Sequence, residues 1–260
     1  MIIKSGSRLV QAQSLGLALI VGGGMALDSV AHAGTQFRLS SGATYTTGDY
    51  GTDTTMDVWH VPITARLTSG PIAAQVTVPY MEITRKTADV SHTASGMGDI
   101  ETSLRLRVLR EGDWRPEVAL TGKARFATAD EELGLADENI YYGEINLGKR
   151  VAHRVYLFGT LGYQTRKDTH PENGDRESDE RHYGTAGLDY TFTARTSGGV
   201  MVTARESWGM QSVDQSTGVM AIPYLTNSLG DGWRLQSYGI AGLSESSPDW
   251  GAGFSLGYNF

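Results

Sequence analysis

The sequence predicts an all-β protein: a transmembrane antiparallel up-and-down β-barrel of twelve strands. Three observations favour this fold class. The last eleven residues, Trp250 to Phe260, alternate large apolar residues with Gly, Ser and Asn, which is the period of a strand with one apolar face. Similar alternating segments recur along the chain between turn residues. An export signal at the N-terminus completes the pattern.

The N-terminal residues have the features of a secretory signal peptide. Lys4 and Arg8 precede an apolar stretch, and Ala31-His32-Ala33 supplies the small residues that a signal peptidase requires. We expect residues 1–33 to be the signal peptide and residues 34–260 to form the barrel domain. An uncleaved anchor helix is the alternative, but three consecutive glycines interrupt a run too short to cross about 30 Å of hydrocarbon.

Composition limits the possible partners. The chain has no cysteine, which excludes disulfides and thiolate metal sites. Its formal charge of −7 gives no support to nucleic-acid binding. We expect the lipid bilayer, lipopolysaccharide and a small-molecule solute as partners, together with the barrel-assembly machinery through Phe260 at the C-terminus. The expected location is the cell outer membrane.

Alternating segments predict the twelve strands, an even number as bacterial single-chain barrels have. The segments are 35–47, 54–68, 71–84, 98–110, 114–126, 139–150, 154–166, 181–193, 198–208, 218–229, 233–243 and 250–260. Their connections alternate between short and long, with long ones predicted at Arg85–Met97, Ala127–Glu138 and Lys167–Glu180. Short periplasmic turns and longer extracellular loops are typical of outer-membrane barrels.

Turn lengths predict which residues of a hairpin face each other. A three-residue turn at Glu111–Asp113 would place Arg107 opposite Glu117 and Glu101 opposite Lys123, inside the barrel. A two-residue turn at Ser69-Gly70 would place Leu67 opposite Ile72, on the lipid side. The same phase predicts two rows of outward aromatic residues, one near each membrane surface. The rows are Tyr45, Trp59, Tyr80, Phe126, Tyr141, Tyr163 and Trp250, and Phe37, Trp114, Tyr190, Phe192, Trp233, Tyr258 and Phe260.

The inward phase collects more basic than acidic side chains. The predicted lumen cations are Arg38, Arg66, Arg105, Arg107, Arg115, Lys123, Arg125, Arg150, Arg154, Arg166, Arg205 and Arg234. The clear inward acids are Glu101, Glu117, Glu144 and Asp189. A basic passage would concentrate anionic solutes, whereas cross-strand ion pairs would merely fill a narrow barrel, and both interpretations stay open.

Seven of these side chains are the candidate solute-binding residues. They are Arg105, Arg107, Lys123, Arg125, Arg205, Glu101 and Glu117. Arg105 is the strongest candidate, because the predicted register places it opposite Ala119, without a charged partner, near the middle of the membrane.

No catalytic residue, cofactor or metal site is predicted. Nothing in the sequence resembles an activated nucleophile with its base. The acidic residues of Asp130–Glu132 and Asp137-Glu138 lack the spacing of a calcium-binding loop and are interpreted as a solvated loop.

One stretch of sequence resembles a known family. Ser95-Gly96-Met97-Gly98-Asp99 leads into a strand in the way seen in the phenol-degradation (meta-pathway) transporter family of outer-membrane proteins. The likeness continues from Leu120 to Asp130, where Ala127 and Ala129 replace a Pro and a Gly of that family. The resemblance implies a channel for uptake of small organic compounds, aromatic ones among them, and implies no catalytic residues.

Three functions remain open. The leading hypothesis is an outer-membrane channel for passive passage of small solutes, with anionic or aromatic organic compounds as the expected class. The alternatives are an enzyme that modifies lipid or lipopolysaccharide and a non-conducting structural barrel.

Overall fold

A computed structural model describes residues 34–135, 138–169, 176–206 and 217–260, so the predicted signal peptide lies outside the described residues. The described chain is almost entirely β-structure. Its strands are β1 (Gln36–Gly48), β2 (Thr55–Ser69), β3 (Ile72–Lys86), β4 (Ser91–Met97), β5 (Ile100–Leu109), β6 (Glu117–Phe126), β7 (Ile140–Ala152), β8 (Val155–Thr169), β9 (Arg176–Thr191), β10 (Thr196–Glu206), β11 (Thr217–Gly230), β12 (Trp233–Gly242) and β13 (Trp250–Asn259). A single turn of 3-10 helix covers Glu131–Leu133. Among the described residues, no helix is long and apolar enough to span a bilayer.

The strands form one closed antiparallel sheet. β1 pairs with β2 on one side and with β13 on the other, which closes the barrel. β4 and β5 share one position in the wall, because both pair with β3, along Tyr80–Lys86 and Ile72–Thr77 respectively. In the described residues the wall therefore has twelve positions, and closure leaves most strand edges paired.

The prediction of a long loop at Arg85–Met97 is wrong. β3 continues to Lys86 and β4 begins at Ser91, so this part of the chain extends the wall. The break between β4 and β5 lies beside Pro79, whose ring nitrogen has no hydrogen to donate to a neighbouring strand. The N–H of Gly98 donates instead to the Pro79 carbonyl at 2.8 Å. The predicted fourth strand is thus only one half of an interrupted strand.

The predicted loop Lys167–Glu180 is also mostly strand. β8 reaches Thr169 and β9 begins at Arg176, and the two stay paired along their full length. In contrast, the fifth predicted strand, 114–126, is shorter than expected because β6 starts at Glu117.

Both predicted hairpin registers are wrong by two residues. Arg107 lies opposite Ala119 and not Glu117, because the connection between β5 and β6 is longer than three residues and the ladder is irregular next to it. Leu67 lies opposite Ala74. Since side chains alternate with a period of two, an error of two residues leaves every side chain on its predicted face.

The outer surface is apolar between two aromatic rows. We call the end where β1 begins and β13 ends the terminal end and the opposite end the loop end. Near the loop end, the ring of Tyr45 lies 5.1 Å from Trp59 and 5.5 Å from Trp250. Near the terminal end, the rings of Tyr258 and Phe260 are 4.7 Å apart. Exposed aliphatic side chains between the rows include Ile63, Val76, Leu104, Leu120, Ile145 and Leu161. Such a belt fits the hydrocarbon of a membrane.

Candidate functional site

A cavity of about 570 Å³ lies in the terminal-end half of the lumen. It exists because two neighbouring strands turn their smallest residues inward. Ser40 and Gly42 of β1 and Ser255 and Gly257 of β13 all line it. The small face of the last strand, which contributed to the prediction of a barrel, is therefore also what leaves space inside it.

The wall of this cavity is strongly basic. Among the described residues that line it there are six arginines and one carboxylate, Asp189. We call the six the arginine ring: Arg38, Arg66, Arg150, Arg154, Arg195 and Arg234. Asp189 is buried and accepts a hydrogen bond of 3.1 Å from the Tyr224 hydroxyl. A charge-lined cleft with walls of low dielectric constant concentrates ions of the opposite sign, which here are anions.

Three polar residues, from β1, β2 and β12, form the inner end of the cavity. The Tyr238 hydroxyl and the Thr44 hydroxyl are 2.5 Å apart, so the tyrosine lies along the wall. His60 is opposite Thr44 and only 8 % exposed. Within the part of the chain that the structure describes, no protein atom forms a hydrogen bond with Nε2 of His60.

The seven candidate residues predicted from sequence do not line this cavity. Arg105 Nη2 lies 3.2 Å from Glu117 Oε1, and Arg107 Nη1 lies 3.7 Å from the other carboxylate oxygen. The prediction that Arg105 faces Ala119 is wrong, since Thr121 is opposite it. Arg105 therefore has an ion-pair partner, Glu117, which the predicted register had assigned to Arg107 alone.

Lys123 belongs to a buried group at mid-height in the barrel. Its Nζ atom lies 2.6 Å from Oε1 of Glu144, and the Tyr183 hydroxyl donates to the same oxygen at 2.5 Å. The predicted partner of Lys123 was Glu101, which instead lies opposite Arg125. A buried ion pair that also receives a hydroxyl hydrogen bond is well satisfied within the protein.

The last two candidates stack on tyrosines of the same group. The guanidinium of Arg125 lies 5.8 Å from the centre of the Tyr142 ring, and that of Arg205 lies 5.1 Å from the Tyr183 ring. Both distances are within the range of cation–π contacts. We call these six residues the central belt: Lys123, Arg125, Tyr142, Glu144, Tyr183 and Arg205.

At the loop end the inner wall formed by β2, β3 and β4 carries an apolar cluster, which the sequence analysis missed. Val58, Met81, Ile83 and Ala94 point inward and pack around Leu133, whose exposed fraction is 0 %. We call these five residues the apolar cap. Leu133 belongs to the predicted long connection Ala127–Glu138, in which only the acidic residues were interpreted as solvated, and nothing was predicted for its side chain. The visible signal was a pair of leucines around Gly134 in an otherwise acidic stretch.

Metal ligation finds no support in the described residues. Among residues 34–135, 138–169, 176–206 and 217–260, no three His, Cys, Asp or Glu side chains are grouped so that they could hold a metal ion.

Comparison with known proteins shows the fold. No protein-family model and no curated protein matches the sequence. An outer-membrane channel from Pseudomonas putida F1 superposes with a TM-score of 0.74 at 13 % identity, over 89 % of this chain and 97 % of that one. The translocator domain of the autotransporter NalP from Neisseria meningitidis gives a TM-score of 0.58 at 14 % identity, over 90 % and 91 %. The NanC porin gives 0.54 at 9 % identity, over 85 % and 98 %.

The fold and the apolar belt define the class of the protein. It is an outer-membrane β-barrel, and the short turns at the terminal end mark the periplasmic side. Channels and an autotransporter domain share this architecture, so the fold does not choose between their functions. The contents of the lumen must do so.

Proposed function

We propose that the chain is an outer-membrane channel through which small solutes pass passively, and that it favours organic anions. The arginine ring is the observation that carries this proposal. A cavity with six arginines and one aspartate on its wall holds an excess of positive charge at the point where solute meets the periplasm. Passage of an anion requires attraction that is spread over several groups, so that the ion can also leave.

The resemblance of Ser95–Asp99 to the phenol-degradation transporter family supports a narrower solute class. We propose membership of that family and aromatic acids as preferred solutes. Tyr224 and Tyr238 both line the cavity, and each hydroxyl already bonds to the protein, to Asp189 and Thr44 respectively. Their rings are thereby held in place as apolar surface next to the arginines, which suits a solute with a flat apolar body and a carboxylate.

Export and assembly complete the proposal. We propose that cleavage after Ala33 releases the barrel domain, which N-terminal sequencing of the membrane form would check. The Phe260 side chain is 69 % exposed, although its backbone N–H donates to Phe37 O at 2.9 Å and closes the barrel. An exposed terminal aromatic on a fixed backbone suits recognition by the assembly machinery. Lipopolysaccharide is the proposed lipid at the loop end.

Single-channel recording in planar bilayers tests the channel. Refolded protein should conduct, and a salt gradient should give a reversal potential that reports preference for the anion. Arg66→Gln and Arg105→Gln form a matched pair, because each removes one lumen arginine but only Arg66 lines the cavity. We expect Arg66→Gln to roughly halve the anion-to-cation permeability ratio, and Arg105→Gln to change it much less.

The outcomes separate the three hypotheses. Folded wild-type protein without conductance would exclude the channel and favour a structural barrel. Release of fatty acid from lipopolysaccharide or phospholipid would favour the enzyme. Equal effects of the two arginine variants would show that the cavity does not set the charge preference. Heat-modifiable migration on a detergent gel checks that each variant is folded.

A further inference from the structure

The wall at the loop end stands above the membrane. Beyond the aromatic residues Trp59 and Tyr80, the outward side chains of β2 and β3 become polar. Lys86 Nζ, for example, lies 2.5 Å from Asp57 Oδ2 on the outer face. The inward face at the same height is apolar, with the β2, β3 and β4 residues of the apolar cap. An apolar face in a water-filled entrance must be covered, since exposure costs about 25 cal/mol per Å².

Leu133 supplies that cover from the lumen side. Its side chain is fully buried against the inward residues, so the segment that carries it lies inside the entrance and reduces the open cross-section. Arg85 holds the backbone there, because its Nη2 donates to the Leu133 carbonyl at 2.6 Å. Gly134 follows with φ of 62°, a left-handed conformation that glycine adopts without strain and that turns the chain back.

Two aspartates fasten the start of this segment to the break between β4 and β5. Oδ1 of Asp99 accepts the N–H groups of Thr128 and Ala129 at 3.2 and 3.1 Å. Oδ2 of Asp130 accepts the N–H of Met97 at 2.7 Å, and the Asp130 N–H donates to the Met97 carbonyl at 2.9 Å. We call Asp99 and Asp130 the clasp. Carboxylates that accept backbone N–H groups make strong, directional bonds.

The clasp also explains the glycines of the Ser95–Asp99 motif. A Cβ atom at Gly96 would lie 2.2 Å from Oδ2 of Asp130, so only glycine leaves room for the carboxylate. A Cβ atom at Gly98 would lie 2.8 Å from Sδ of Met81, which belongs to the apolar cap. The motif therefore positions the segment that ends in Leu133.

We propose that residues 127–135 set the size limit of the extracellular entrance, with Leu133 as their anchor and Asp99 and Asp130 as positioning residues. This inference rests on the proposed channel function. It assigns discrimination by size to the loop end, separately from the charge preference of the arginine ring. A segment that narrows a pore raises the barrier for solutes in proportion to how narrow it leaves the passage.

The first test shortens the side chain. Leu133→Ala should raise single-channel conductance about two-fold or more and admit larger sugars in liposome swelling, with an unchanged reversal potential. Glu132→Ala is the matched control, because Glu132 is the exposed neighbour in the same turn and should leave conductance near the wild-type value. Equal conductance of wild type and Leu133→Ala would overturn the inference.

A second test works even if Leu133→Ala folds poorly. Gly96→Cys combined with Asp130→Cys replaces the hydrogen bond from the Met97 N–H to the Asp130 carboxylate by a disulfide that can be reduced. The natural chain has no cysteine that could interfere. A Cβ atom at Gly96 would lie 2.9 Å from that of Asp130. This is about an ångström less than the preferred Cβ–Cβ separation of a disulfide. A small shift of the segment that carries residue 130 would bring the two atoms to that separation. The oxidised form should conduct like wild type, and reduction should raise conductance and the size limit.

The two proposals fail in different ways. A folded wild-type barrel without conductance contradicts the channel itself. A conducting wild type whose conductance and size limit are the same in Leu133→Ala, or in both redox forms of the double-cysteine variant, contradicts only the role of Leu133.

Discussion

The two ends of the lumen are built in different ways. At the terminal end the wall itself makes the site: small residues of β1 and β13 leave a cavity, and the arginine ring on neighbouring strands and turns charges it. At the loop end the wall is apolar along β2, β3 and β4, and a separate segment folds inward to cover this part with Leu133. In the proposed channel, charge preference and size limit therefore depend on different residues, so each should be alterable alone.

The largest expected effect comes from filling the cavity. Ser255→Trp places an indole ring where a hydroxyl group stands on the lumen face of β13. The passage there depends on small residues. We expect conductance to fall to about a tenth, because a large aromatic side chain excludes both water and ions. Leu256→Trp is the control, since the adjacent side chain points to lipid and is already large.

This experiment tests directly whether the cavity lies on the solute path. If Ser255→Trp conducts like wild type, the cavity is not on the solute path, and the basic wall has no bearing on transport. If Leu256→Trp blocks conductance as strongly, the effect comes from disturbed assembly, which loss of heat-modifiable migration would reveal.

The central belt lies between the two ends of the lumen. A change there should have an intermediate effect, and only on the stability of the barrel. Glu144→Gln removes the buried partner of Lys123 and weakens the bond from the Tyr183 hydroxyl. Breaking a buried ion pair costs about 3–5 kcal/mol, because one charge is left uncompensated. Urea unfolding in detergent should show this loss, and a Lys123→Met, Glu144→Gln double variant should recover most of it. A large change in reversal potential in the folded single variant would instead bring the central belt into the solute path.

The two ends of the lumen also differ in how much of them could be predicted from sequence. The inward position of Arg38, Arg66 and Arg234 follows from strand phase, a local property that a register error of two residues does not alter. The cavity was not predicted, although the glycines and serines that make it were used to recognise β13. Strand phase says which side chains point inward, but the free space depends on which strands become neighbours.

The loop end shows where local pattern stops being informative. Asp130 and its neighbours look like a solvated acidic loop, and Glu131 and Glu132 are indeed exposed. Leu133 is buried because β2, β3 and β4 form its pocket, and Asp99, thirty-one residues from Asp130, holds the segment in place. Contacts between segments so far apart in sequence have no periodic signature. The ion pair of Arg105 with Glu117 was missed for a different reason, because the connection between β5 and β6 is longer than the predicted turn.

The smallest expected effect concerns Asp189. Its replacement tests whether this carboxylate weakens the anion preference that the arginine ring produces. Asp189→Asn keeps the shape and an acceptor for the Tyr224 hydroxyl while it removes the negative charge. We expect the anion-to-cation permeability ratio to rise by about half, since one of seven charges on the wall changes. Tyr224→Phe is the control, because it removes the hydrogen bond and keeps the charge, and its ratio should stay near the wild-type value. A ratio that falls in Asp189→Asn would mean that Asp189 mainly orders nearby arginines, and that their arrangement matters more than their net charge.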